Sequence, residues 1–64
     1  MRTVFETNEF AFRIKVEQHG GRKALFKITY GVQVSDNLTY SRAASEFGSC
    51  MFHALACDGK LNNE

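Results

Sequence analysis

With 64 residues, 44% of them hydrophobic and 23% charged, the chain has the composition of one small folded domain, which excludes wholesale disorder and leaves no room for a second core. Eight Lys and Arg against seven Asp and Glu leave a formal charge of +1, so net charge excludes a general affinity for polyanions and only local clustering could supply one. A core this small carries little net stability, and such chains commonly add a disulfide, a metal or a partner subunit.

Residues 1–8 are expected to be a loosely ordered end, with Val4 and Phe5 available for a short third strand in a monomer. A first strand is expected over residues 9–17. Phe10, Phe12, Ile14 and Val16 share one parity there, while Ala11, Arg13, Lys15 and Glu17 share the other, the period-2 pattern of a sheet with one wet face. Residues 18–22 read as a hairpin loop, with a three-residue turn over His19, Gly20 and Gly21 and a left-handed Gly21. That turn sets Val16 opposite Ala24, Ile14 opposite Phe26 and Phe12 opposite Ile28, so the oily faces coincide. It also sets Arg13 against Lys27, an unfavourable pair.

The second strand is expected over residues 23–34, with Ala24, Phe26, Ile28, Tyr30, Val32 and Val34 on its apolar parity. Gly31 inside that run marks a bend, a bulge or a close backbone approach. Ser35, Asp36, Asn37 and Ser41 are candidate helix caps. From Tyr40 to Cys57 the pattern becomes helical. Tyr40, Ala43, Ala44, Phe47, Met51, Ala54 and Leu55 lie on one face, Cys50 and Cys57 flank it, and Phe52 falls near the opposite boundary. Asp58 and Gly59 signal the stop, and residues 60–64 read as a second loose end.

The fold class expected is α+β, a single ββα domain in which one C-terminal helix packs on an antiparallel hairpin. A lone hairpin is marginal and leaves both edges open. The expected remedy is a homodimer whose two hairpins form a four-stranded sheet under two helices.

The uncharged stretches 28–35 and 47–57 are too short to span a bilayer, which takes about 18 residues, and no secretory leader is expected. The expected setting is the cytoplasm, without a membrane partner. Cys50 and Cys57 would stand about 10 Å apart along a helix, beyond the roughly 4.4–6.8 Å that a disulfide spans, and are expected as two reduced, partly buried thiols, with an intersubunit disulfide as the alternative. No catalytic or cofactor motif stands out, and the expected role is a non-catalytic protein-interaction module acting stoichiometrically, as an adaptor or inhibitor, through a sheet edge or a basic hairpin face.

Arg13, Lys15, Arg22, Lys23 and Lys27 make up that face, which would suit an acidic protein surface; Phe52 is a candidate apolar anchor. The ordinary alternative for such cations is a solvated, edge-protecting surface. Nucleic acid is a second alternative, with Lys and Arg on phosphates, although no exposed aromatic pair is expected on that face for base stacking. A metal-linked or redox role is a third, because His53 lies four residues from Cys57 and three from Cys50, spacings that meet on a helix.

Overall fold

The computed structural model describes residues 1–10 and 12–59. Four antiparallel strands, β1 (Arg2–Thr7), β2 (Ile14–Gln18), β3 (Phe26–Tyr30) and β4 (Gln33–Leu38), pair in chain order, and one helix, α1 (Tyr40–Cys57), lies on the sheet. Directly paired residues share a face. The inner face therefore carries the rows Phe5, Val16, Ile28, Ser35 and Thr7, Ile14, Tyr30, Gln33; the outer face carries Glu6, Lys15, Thr29 and Val34.

The four-stranded sheet is completed within one chain, and not by a second copy. Two differences from the expected hairpin bring this about. Residues 1–8, expected as a loose end, contain β1, an edge strand on β2. The expected second strand is broken by a two-residue turn at Gly31 and Val32, across which Tyr30 pairs with Gln33. Gly31 has φ +60°, and glycine at the first central position is what a type II′ hairpin turn requires.

The expected first strand also starts late, at Ile14. The aromatic alternation before it serves packing: the Phe12 ring lies 5.2 Å from that of Tyr30 and covers Gly31. Gly31 N donates to the Arg13 carbonyl oxygen at 2.9 Å, so Arg13 lies beside Gly31 and not opposite Lys27.

Between β2 and β3 the parity is as expected but the register is slid, with Val16 opposite Ile28 and Ile14 opposite Tyr30. Residues 19–25 become the connection, closed by His19 N donating to the Leu25 carbonyl oxygen at 2.9 Å. Gly21 has the expected positive φ, +112°. The slide has two physical gains. It sets Ile28 and Tyr30 against the apolar part of β2, and it sets Glu17 against Lys27 in place of a like-charge pair.

Helix α1 has the expected span, but its cap is Thr39, whose Oγ1 accepts from Arg42 N at 3.4 Å; Ser35, Asp36 and Asn37 belong to β4. Asp58 is the C-cap and Gly59 follows with φ +70°. Among the described residues Ile14, Ile28, Leu38, Ala43 and Ala54 are buried, and Val16, Phe26, Phe47 and Cys50 pack against the cluster of Ile28, Leu38 and Ala43. Two alanines on the sheet side of α1 let the helix approach β3 and β4 closely. The end expected to be loose at 60–64, and Ala11, lie outside the described residues.

Candidate functional site

The basic residues singled out from the sequence divide among three places. Lys15 and Lys27 stand on the outer face, where Glu17 separates them: Lys15 Nζ is 3.9 Å from a Glu17 carboxylate oxygen, and Glu17 pairs with Lys27 across the ladder. Arg13, just before β2, forms an ion pair with Glu6 of β1. Arg22 and Lys23 are exposed in the β2–β3 connection. The sheet face thus alternates in sign, and exposed pairs of this kind contribute only about 0–1 kcal/mol each. Phe52 is 69% exposed on α1, and the fold does not join it to the cations.

A larger feature lies on the inner face, where α1 covers β3 and β4 more fully than the β1 side. There Phe5 meets Phe47 edge-on, with ring centroids 5.5 Å apart. A groove of about 490 Å³ opens beside them, lined by Val4, Phe5, Val16, Phe26, Tyr40, Ala43, Ala44 and Phe47. Val4 occupies a register shift in β1, between the pairs Thr3 with Glu17 and Phe5 with Val16. Such a bulge turns Phe5 toward the helix. Val4 and Phe5 remain 51% and 41% exposed. The sequence signal for this groove was present in Val4 and Phe5, but it acquires meaning only once β1 is seen as an edge strand.

The third feature joins β3 to the end of α1. The Tyr30 hydroxyl is 2.7 Å from His53 Nδ1, and His53 Nε2 is 3.8 Å from Cys57 Sγ. The Phe12 ring stacks beside the imidazole at 6.3 Å and 18°. A smaller cleft of about 230 Å³ adjoins them, lined by Phe12, Tyr30, Val32, Gln33 and His53. Burial, with Cys57 and Cys50 nearby, pushes the Tyr30 hydroxyl up from its ordinary value, so it keeps its proton at neutral pH. Burial likewise pushes the Cys50 thiol up, with Glu46 adding to the effect. The spacing of His53 and Cys57 was legible in sequence; Tyr30, read only as a core residue, was not. Among the described residues no group of three or more His, Cys, Asp or Glu side chains is placed to hold a metal ion.

No protein family, curated protein or solved structure matches the chain. Among the described residues, no helix is long and apolar enough to cross a membrane.

Proposed function

We propose that the chain is a small protein-interaction module that acts stoichiometrically, without turnover, and that its contact surface is the β1 edge together with the adjoining groove, occupied by a second copy of the chain. The observation that carries this reading is the partial exposure of Val4 and Phe5 on an edge strand beside an apolar groove. An edge strand offers unpaired backbone donors and acceptors, and the groove offers apolar surface worth about 25 cal/mol per Å² removed from water.

A second copy suits the edge because two β1 strands running antiparallel about a two-fold axis pair their open backbone donors and acceptors with one another. A specific interface of about 1,000 Å² in total would take roughly a tenth of each copy's 4712 Å² surface. The carboxylates beside Arg13, Lys15 and Lys27 favour this surface over the basic face as the point of contact.

Light scattering on the eluting protein across a dilution series tests the reading. Wild type is expected at twice 7.2 kDa, Val4→Lys at the monomer mass, and Phe52→Lys unchanged from wild type. A wild type that stays monomeric at every concentration overturns the proposal, as does a dimer lost in the Phe52 variant and kept in the Val4 variant.

A further inference from the structure

The Tyr30, His53 and Cys57 cluster lies apart from the groove and carries a separate chemistry. We propose that Cys57 is a thiol-modification site, at which His53 takes the thiol proton and the sulfur forms a mixed disulfide with a small disulfide of the glutathione class.

Three observations converge on it. Cys57 is exposed, whereas Cys50 is half-buried and packs against the core. His53 Nε2 faces the Cys57 sulfur at 3.8 Å, within the reach of a sulfur hydrogen bond. The opposite ring nitrogen is held by Tyr30 at 2.7 Å while Phe12 stacks on the ring, so the imidazole is fixed in orientation. The proposal requires the tautomer with its proton on Nδ1, donated to the Tyr30 oxygen, which leaves the Nε2 lone pair toward the thiol. That is the arrangement of nucleophile, base and orienting group that activates a weak nucleophile.

The step balances without a further reactant. The Cys57 S–H proton passes to His53 Nε2, the sulfur attacks one sulfur of the incoming disulfide, and the new S–S bond forms as the old one breaks. The departing thiolate takes the proton back from the imidazolium. Cys57 is oxidised to the mixed disulfide, and the departing half is reduced to a thiol. A cleft lined by Phe12, Tyr30, Val32, Gln33 and His53 lies beside the imidazole. Cys50 cannot displace that group, because seven residues of continuous helix place it about 10 Å away along the axis. The adduct therefore persists until an external thiol removes it.

Oxidised glutathione at neutral pH is the probe, with the modified residue located by peptide mass. Folded wild type is expected to gain one glutathionyl group at Cys57, about tenfold faster than the same thiol in the urea-unfolded chain, where His53 is no longer held beside it. His53→Gln is expected to remove that advantage and leave the slower Cys50 rate unchanged. Tyr30→Phe is expected to redistribute the His53 tautomers, read from long-range proton–nitrogen NMR correlations, and to lower the Cys57 rate in step. A folded Cys57 no faster than the unfolded thiol overturns the proposal without recourse to any variant. An unchanged Cys57 rate in His53→Gln overturns it as well.

Discussion

Asp36 Oδ1 receives two hydrogen bonds, from His19 Nε2 at 2.5 Å and from the Asn37 backbone N–H at 2.7 Å. The bond from His19, then the one from Asn37, holds the carboxyl below its ordinary 3.8. A depressed folded value favours the ionised form, so the contribution to stability is fully present above about pH 3.8 and is lost as pH falls through the lower folded value. Urea midpoints are expected to decline over that acid range in wild type and to decline less in Asp36→Asn. The group is exposed, so added salt should shrink the difference. Neither partner was legible: His19 read as a turn residue and Asp36 as a helix cap, and only the sheet register brings two residues 17 apart in sequence together.

Among the elements, the β3–β4 hairpin shows how alternation misleads. Tyr30, Val32 and Val34 share a parity, but the two-residue turn pairs Tyr30 with Gln33, so Val34 moves to the outer face with Thr29. A bulge then restores the phase. Asp36 and Asn37 together oppose Lys27, Asn37 takes φ +56°, and Leu38 returns to the core opposite Phe26. Gly31 is the hinge of this scheme. A Cβ there would meet Phe12 Cδ1 at 3.3 Å and hold a positive φ, so Gly31→Ala is expected to cost about 1–3 kcal/mol in urea unfolding. Gly48→Ala in α1, where an added Cβ meets nothing within 4 Å, is expected to gain about 0.5–1 kcal/mol in the same measurement.

At the scale of the molecule, five buried hydrophobic residues among the described ones hold together a sheet and a helix, and among these Ile14 is the largest side chain that is fully enclosed. Ile14→Ala is expected to cost about 2–5 kcal/mol, a large share of what a domain of this size possesses. Phe52→Ala, on the open side of α1, should stay within about 0.5 kcal/mol in calorimetry or urea titration. The small core also accounts for the groove. One helix with two alanines against the sheet covers β3 and β4, and the apolar surface contributed by Val4 and Phe5 is left beside it.

The span of α1, the single apolar sheet face and the coincidence of oily sides between β2 and β3 follow from the sequence alone, because each is a local periodicity of 3.6 or 2 residues. Strand number and register do not. Sliding β2 against β3 by an even number of residues preserves every inward side chain, so periodicity cannot choose among such registers. The choice was made by contacts between distant residues: Glu17 with Lys27, Phe12 over Gly31, and Val4 with Phe5 drawn onto the edge of β2. The groove and the Tyr30–His53–Cys57 cluster belong to that second kind, since each exists only where segments far apart in the chain are packed together.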